Sequence, residues 1–580
     1  MLHLPWRGIY NVGVSTLNKL REGLEMGEKE KELYRRWCEY KIEDADVVRD
    51  LWFTENDENG ISDRFYTDIE FGTAGLRGVM GAGINRMNIY VVRRATQGVA
   101  GWLLSRAGKP EVAIGYDSRN KSRLFASEAA RVFAANGIKV HIFSSLRPVP
   151  MVSYAVRKLG CAAGVMVTAS HNPAEYNGYK VYGDDGCQIG PETAREVFTR
   201  IRATDVLDGA LLCDYDEAVG SGMIEYIPES FDEKYLRRVL RERVNPGLPE
   251  LGKLSVVYTP LNGAGNVPVR RMLKLCGAEN VAVVPEQEAP NGDFPTCPYP
   301  NPEIKEALAL GLRLAAERGA DILLATDPDC DRVGVASRDG DGYRILTGNE
   351  VGALLLDYIA KCRIDNGTMP ERPVAVKSIV STKLADAVAA EYGVEMRNVM
   401  TGFRYIGGVI DELDKAGGER FILGFEESCG YLSGGYVRDK DGVDASMLVC
   451  EMAAYYKRRG MTLADALAAL HQRFGYFADS QMNFYCEGET GLKRIKDTME
   501  RLRAQPPKEI AGQAVTKVVD YLPEGNALEY VLANGASAIV RPSGTEPKVK
   551  AYLSVRAKDE AAAREFEGKL RADVSAVMGF

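Results

Sequence analysis

The chain has 580 residues, more than one hydrophobic core usually holds, and 46% of them are hydrophobic, enough to build several domains. Its 81 acidic and 73 basic residues leave a net charge of -8 with no long block of one sign, which argues against a nucleic-acid partner. No apolar stretch approaches the roughly 20 residues of a membrane helix and the start lacks a secretory signal's apolar core, so a soluble cytoplasmic protein without a membrane partner is expected.

Residues 1–25 read poorly against the rest, and Met26 opens the charged helical segment Gly27-Glu28-Lys29-Glu30-Lys31-Glu32. Translation is expected to begin at Met26, and residues 1–43 to form an extension with a helical segment. Three later segments share one grammar: a β-rich run, a polar loop, an apolar helical stretch, Gly, and a second β-rich run. The first has strands at 112–116 and 138–143 around a helix at 124–136 and Gly137. The second has strands at 254–258 and 281–284 around a helix near 267–276 and Gly277. The third has a strand at 374–380 and a short run to Met400 around a helix at 383–392 and Gly393. A strand, a crossover helix closed by Gly and a returning strand form a βαβ unit, which favours parallel pairing under a cover of helices. The expected fold class is α/β, with three similar α/β domains in series at 44–215, 216–345 and 346–475. One larger sheet built from all three units is the alternative. Beyond 476, runs at 477–485, 515–521, 527–532 and 537–540 alternate with turns before a long helical pattern at 558–577, which suggests a C-terminal α+β domain over 476–580.

Thr168-Ala169-Ser170-His171-Asn172-Pro173 follows the apolar run 162–167, so a serine hydroxyl stands where a buried strand breaks into a turn. Open α/β sheets bind ligands at the carboxyl ends of strands, which makes Ser170 a candidate nucleophile, although the hydrolase Gly-x-Ser-x-Gly elbow is absent. Asp327-Pro328-Asp329-Cys330-Asp331-Arg332 follows the run 322–325. Residues two apart share a face of an extended segment, so these carboxylates can converge on a hard cation such as Mg2+, Mn2+ or Ca2+. An EF-hand would need Gly and Glu where Arg332 and Arg338 stand, and 11 cysteines without a Cys-x-x-Cys pair, beside four histidines, argue against structural zinc.

Gly424-Phe425-Glu426-Glu427-Ser428-Cys429-Gly430 sets carboxylates and a hydroxyl after the run 421–423. Carboxylates accept well from sugar hydroxyls; a helix start with acids near its dipole is the plainer alternative. Arg541-Pro542-Ser543-Gly544-Thr545-Glu546-Pro547-Lys548 follows the strand 537–540 and carries hydroxyls, a Gly and bracketing cations, the equipment of a phosphate cradle. Neither a Walker loop nor a Gly-x-Gly-x-x-Gly between strand and helix is present, so nucleotide binding has no support. Phe71-Gly72-Thr73-Ala74-Gly75-Leu76-Arg77-Gly78 is a Gly-punctuated segment carrying one arginine.

In this order along residues 71–548, the clusters resemble the α-D-phosphohexomutase superfamily, which includes phosphoglucomutases and phosphomannomutases. The resemblance implies four domains, three α/β with mixed sheets and one smaller α+β, around a central active-site cleft. It implies that Ser170 carries a phosphate, that a phosphoserine oxygen with Asp327, Asp329 and Asp331 holds one Mg2+, and that Arg332 lies beside them. A sugar phosphate would dock its phosphate on Arg541, Ser543, Gly544, Thr545 and Lys548 and its hydroxyls on Glu426 and Ser428, with Thr73, Arg77, Gly402 and Arg404 also binding substrate. The phosphoserine would give its phosphate to a free hydroxyl, and the resulting sugar bisphosphate would turn round and return its other phosphate to Ser170. His171, Arg77 and Lys180, in Asn177-Gly178-Tyr179-Lys180, are the implied acid and base groups. Histidine has the most suitable unperturbed pKa, whereas lysine needs burial or neighbouring cations to lower its own.

Two departures stand out. Arg404, in Thr401-Gly402-Phe403-Arg404-Tyr405-Ile406-Gly407, occupies a place where relatives usually carry lysine; a guanidinium stays protonated, so it is expected to bind oxygen rather than shuttle protons. Phe425 replaces the commoner glycine, while Glu426, Glu427 and Ser428 are retained, and the paired glutamates lean toward glucose over mannose. The expected activity is interconversion of α-D-glucose 1-phosphate and glucose 6-phosphate, with glucose 1,6-bisphosphate as intermediate and activator. Mannose or pentose mutases and sugar-bisphosphate synthases of the same superfamily are the near alternatives. A metal-dependent sugar phosphatase using Ser170 is more distant, and a non-enzymatic sugar-phosphate module ranks last.

Overall fold

The structure, a computed structural model, describes residues 27–72, 75–106, 108–486, 488–543 and 548–579. The expected start at Met26 and the site residues Thr73, Gly544 and Thr545 lie outside the described residues. Helices Glu28–Glu39, Ala45–Phe53 and Glu58–Phe65 open the described chain, the last two capped by the side chains of Asp44 and Asp57. They bury Trp37, Val47, Leu51, Ile61 and Phe65 against the first domain, so this segment is packed on the domain that follows. Among the described residues no helix is long and apolar enough to cross a membrane.

The first sheet holds β1 (Leu76–Val79), β2 (Glu111–Tyr116), β3 (Lys139–Phe143), β4 (Ala163–Val167), β5 (Tyr176–Gly183) and β6 (Ile224–Ile227), in the order β1-β5-β4-β2-β3-β6. It therefore extends beyond residue 215. The second holds β7 (Ser255–Thr259), β8 (Asn280–Val283), β9 (Ile322–Thr326), β10 (Val333–Asp339) and β11 (Gly342–Leu346), in the order β11-β10-β9-β7-β8. The third holds β12 (Val374–Ser378), β13 (Glu395–Val399), β14 (Phe421–Glu426) and β15 (Gly430–Leu432), in the order β13-β12-β14-β15.

These sheets repeat one plan. In the first, β2 pairs parallel with β3 and β4, and β4 then pairs antiparallel with β5. In the second, β7 pairs parallel with β8 and β9, and β9 antiparallel with β10. In the third, β12 pairs parallel with β13 and β14, and β14 antiparallel with β15. The sheets are therefore mixed, and separate sheets replace the single large one that the βαβ pattern also allowed. Strands β4 and β9 are buried along their whole length, as expected where both faces are covered, and so read as continuous apolar runs.

The fourth domain is an antiparallel sheet of β16 (Tyr476–Tyr485), β17 (Glu509–Ile510), β18 (Gln513–Asp520), β19 (Leu528–Leu532), β20 (Ser537–Pro542) and β21 (Lys548–Ala557), in the order β16-β21-β20-β19-β18-β17. Helices Gly488–Ala504 and Glu560–Met578 complete it. One apolar cluster runs from Ala113 through Tyr258 to Leu470 and fuses the first three domains, whereas the fourth packs its own core around Leu502, Tyr530, Val549 and Leu570. A smaller cluster of Ile379, Val380, Ala527, Ile539 and Tyr552 joins the third domain to the fourth.

Candidate active site

The shared plan explains where chemistry collects. The serine loop joins β4 to β5, the aspartate loop joins β9 to β10, and the glutamate loop joins β14 to β15. Each is a tight reversal from a buried parallel strand into its antiparallel neighbour. Each also holds a non-glycine residue in the left-handed region: Ser170 at φ 51°, Cys330 at 53° and Cys429 at 62°. Such residues cost roughly 1–2 kcal/mol and persist only where surrounding contacts hold them.

Ser170 is buried, and its Oγ donates to Asp327 Oδ2 at 2.9 Å, joining the first domain to the second. His171 Nδ1 lies 3.2 Å from the same hydroxyl. Gly178 on β5 makes room for the loop, since a Cβ there would stand 2.5 Å from the Thr168 carbonyl oxygen. Arg77, on β1, donates to Asn172 Oδ1 at 3.1 Å.

Asp327, Asp329 and Asp331 bring ligand oxygens within 4.8 Å of one another, all buried. The three carboxylates converge as expected, but through a turn rather than along one face of an extended strand. The segment is a turn, in which Asp327 Oδ1 accepts the backbone N–H groups of Asp331 and Arg332, each at 3.1 Å. Oδ1 of Asp329 and Oδ1 of Asp331 are buried without a hydrogen-bond partner. Orphaned carboxylate oxygens in a buried oxygen-only cluster fit a hard divalent cation, so the donor set suits Mg2+.

Electrostatics separates the groups. Burial, with Asp329 and Asp331 alongside, pushes Asp327 well above the usual carboxylate range. For Asp331, burial is outweighed by Lys440, Lys180 and Arg332, which hold it below that range. Lys180 Nζ donates to Asp329 Oδ2 at 2.8 Å; burial works against its charge, but Asp329 and Asp331 keep its pKa above the ordinary value. Its carboxylate neighbours thus oppose the lowering that a lysine base would need. His171 goes the other way, pressed well below its ordinary value by burial and by Arg332 and Arg77, so its imidazole is neutral. Arg332 donates to Glu303 Oε1 at 2.8 Å, with Nε 3.7 Å from Asp331 Oδ1.

The glutamate loop is a hairpin turn rather than a helix start. Glu426 Oε1 accepts the Gly402 N–H at 2.7 Å, and burial raises the carboxyl against the pull of Lys440. Glu427 accepts from Ser378 Oγ at 2.9 Å, and Ser428 is half-buried at the turn. Arg404 Nη2 lies 3.0 Å from Tyr405 Oη, and its Nε is buried without a partner. In the fourth domain Arg541 donates to the hydroxyl of Thr401, beside Gly402, so the candidate phosphate-binding segment reaches the third domain. Ser543 N–H bonds the Lys548 carbonyl at 2.8 Å, and Lys548 Nζ lies 5.0 Å from the Tyr485 ring centroid.

Three groups escaped the sequence reading. Lys440 Nζ lies 3.2 Å from Asp331 Oδ2 and 5.6 Å from the Phe403 ring centroid. Its segment Arg438-Asp439-Lys440-Asp441 reads as a solvated run of mixed charge, although all four residues are buried. Asp117 and Arg119 leave the end of β2, the strand next to β4, and meet the serine loop; their position at a strand's carboxyl end was the available signal.

Known proteins place the chain firmly. Four domain profiles match in order: phosphoglucomutase/phosphomannomutase alpha/beta/alpha domain I over residues 68–207, domain II over 233–340, domain III over 347–474 and the C-terminal domain over 494–571. The phosphoglucomutase of Staphylococcus haemolyticus is 36% identical over 542 residues, covering 90% of this chain and 95% of that protein. That of Staphylococcus saprophyticus is 34% identical over 532 residues, covering 88% and 95%. Among solved structures, a phosphoglucomutase/phosphomannomutase family protein of Burkholderia thailandensis superposes with TM-score 0.66 at 19% identity, covering 88% of this chain and 98% of that one. The open form of parafusin, a phosphoglucomutase of Paramecium, gives 0.67 at 18%, covering 89% and 95%. The chain belongs to the phosphoglucomutase/phosphomannomutase family.

Proposed function

We propose that the protein interconverts α-D-glucose 1-phosphate and glucose 6-phosphate by passing a phosphoryl group through Ser170, with glucose 1,6-bisphosphate as the intermediate. The observation that carries this reading is the 2.9 Å contact between Ser170 Oγ and Asp327 Oδ2 inside a buried carboxylate triad. The names of the Staphylococcus relatives support glucose as the sugar.

Asp327, Asp329 and Asp331 would hold Mg2+ together with a Ser170 oxygen. When bound, the ion supplies positive charge against the phosphoryl oxygens. Arg541, Ser543, Gly544, Thr545 and Lys548 bind the phosphate that is not transferred, with Thr73, Gly402 and Arg404 adding contacts, while Glu426 and Ser428 accept sugar hydroxyls. Phosphoryl transfer needs in-line positioning and charge neutralisation more than covalent help. The bond between phosphorus and Ser170 Oγ breaks as one forms to the free sugar hydroxyl; that hydroxyl's proton leaves to a base, and Ser170 Oγ gains a proton. His171, 3.2 Å from the Ser170 hydroxyl, and Lys180, on Asp329, are the candidate proton carriers, although burial with Arg332 and Arg77 weakens His171 as a base and the carboxylates beside Lys180 weaken it as an acid. Arg77 and Arg332 stay cationic beside the phosphoryl group. The bisphosphate then reorients, and the same steps run in reverse.

A panel of glucose, mannose and pentose 1-phosphates, assayed with Mg2+ and a trace of glucose 1,6-bisphosphate, tests the reading. Glucose 1-phosphate should show the highest kcat/KM. A pentose or mannose preference would move the substrate, and release of free phosphate without an acceptor sugar would make the protein a phosphatase.

A further inference from the structure

We propose that Arg119 is a positioning residue for the transfer step, its guanidinium fixing the orientation of the Ser170 hydroxyl by gathering the carbonyl groups of the loop that carries it. The proposal rests on Ser170 being the phosphoryl carrier. Arg119 is 3% exposed, and its Nη2 donates to the Ser170 carbonyl at 2.6 Å and to that of Asn172. Its Nη1 donates to the carbonyls of Pro173 at 2.8 Å and Tyr176 at 3.1 Å. One planar fork thus spans the loop from the serine to the start of β5.

The other end of the Ser170 peptide returns to the same place. Its N–H donates to Thr168 Oγ1 at 2.8 Å, and that hydroxyl donates to Asp117 Oδ2 at 2.6 Å. Asp117 Oδ1 accepts the Arg119 N–H at 3.0 Å and the Ser122 hydroxyl at 2.7 Å, and Asp117 Oδ2 lies 3.5 Å from Arg119 Nε. Both polar groups of the Ser170 backbone are therefore tied into one closed circuit through Thr168, Asp117 and Arg119. The Phe294 ring, from the second domain, lies 5.0 Å from the guanidinium.

Comparison of the three loops isolates what Arg119 does. Cys330 and Cys429 share the left-handed conformation of Ser170, but their carbonyls are held by backbone N–H groups, of Gly442 at 3.1 Å and Val333 at 2.9 Å. Only in the serine loop does a side chain perform this task, and only there must a neighbouring Oγ be aimed at a reacting phosphorus. A misplacement of about 1 Å at a reacting centre can cost on the order of a hundredfold in rate.

The test compares wild type with Arg119→Lys, which keeps the charge but loses the fork. At saturating Mg2+, Arg119→Lys should lower kcat by roughly ten- to a hundredfold while the KM for glucose 1-phosphate and the Mg2+ affinity stay within about twofold. In Arg119→Ala, guanidinium added below denaturing concentration should restore part of kcat, and methylammonium should not. Asp117→Asn serves should the arginine variants not fold, and it too should lower kcat without moving KM. Wild-type kcat in any folded variant of the pair, or rescue by methylammonium as good as by guanidinium, overturns the proposal. Mapping phosphate onto Ser170 in the wild type settles the underlying carrier role separately.

Discussion

Lys440 Nζ lies 3.2 Å from Asp331 Oδ2, so a buried ammonium from the third domain neutralises a carboxylate of the second. Removing one partner of a buried pair leaves an uncompensated charge, at a cost of about 3–5 kcal/mol. Lys440→Met should lower the thermal midpoint by roughly 3 °C for about 3 kcal/mol, a small shift because the first three domains share one core and unfold as a large unit, and Mg2+ should recover part of it by supplying the missing charge. Scanning fluorimetry with and without Mg2+ checks this. An unchanged midpoint would mean that Lys180 and Arg332 suffice for Asp331.

Asp329→Asn keeps the shape of the turn and removes one charge from the cation cluster. Mg2+ affinity and turnover should fall together, by about tenfold or more, because changes outside the ligand set alone cost roughly ten- to a hundredfold. Chelator should inactivate the wild type reversibly. Activity indifferent to both treatments would place the cation elsewhere.

The raised pKa of Asp327 links metal binding to pH. Its folded pKa lies well above an unfolded value near 3.9. Its contribution to stability is therefore fully present below the unfolded pKa and is lost as pH rises through the folded one. A cation takes over from the departing proton, so the rise in thermal midpoint that Mg2+ gives, and its affinity, should both grow with pH. Calorimetry in buffers of different ionisation enthalpy should detect proton release on binding. A pH-independent Mg2+ effect speaks against a protonated Asp327.

Arg541 lies in the fourth domain and touches Thr401 of the third. Arg541→Ala should chiefly raise KM, with kcat/KM reduced by roughly 1.5–3 kcal/mol, about tenfold to a hundredfold or somewhat more. Phosphorylation of Ser170 by saturating bisphosphate should survive. Steady-state kinetics showing an unchanged kcat/KM in a folded variant would remove Arg541 from the phosphate cradle.

The serine, aspartate and glutamate loops were legible because each sits at the exit of a buried parallel strand, and the Arg541 and Arg77 segments, on antiparallel strands, because Gly, Pro or clustered polar residues mark them. The partners that complete the site were not. Arg119 looks like any loop arginine until folding brings the carbonyls of Ser170 to Tyr176 around it. Lys440 acquires meaning only beside Asp331, which the sequence keeps far from it. Strand β21 also escaped, since Lys548, Lys550 and Arg556 give it a polar look while Val549, Ala551, Leu553 and Val555 face the core. The mixed character of the sheets depended on hairpin strands such as β5, whose run Tyr176–Gly183 is buried on both faces and shows no alternation.

The most direct measurement is phosphate mapping by mass spectrometry after treatment with glucose 1,6-bisphosphate, followed by a chase with glucose 6-phosphate. Phosphate should appear on Ser170 and then leave it as glucose 1,6-bisphosphate forms again, while Ser170→Ala should fold, accept no phosphate and show no turnover. Phosphate on another residue, or full activity in Ser170→Ala, would contradict the account.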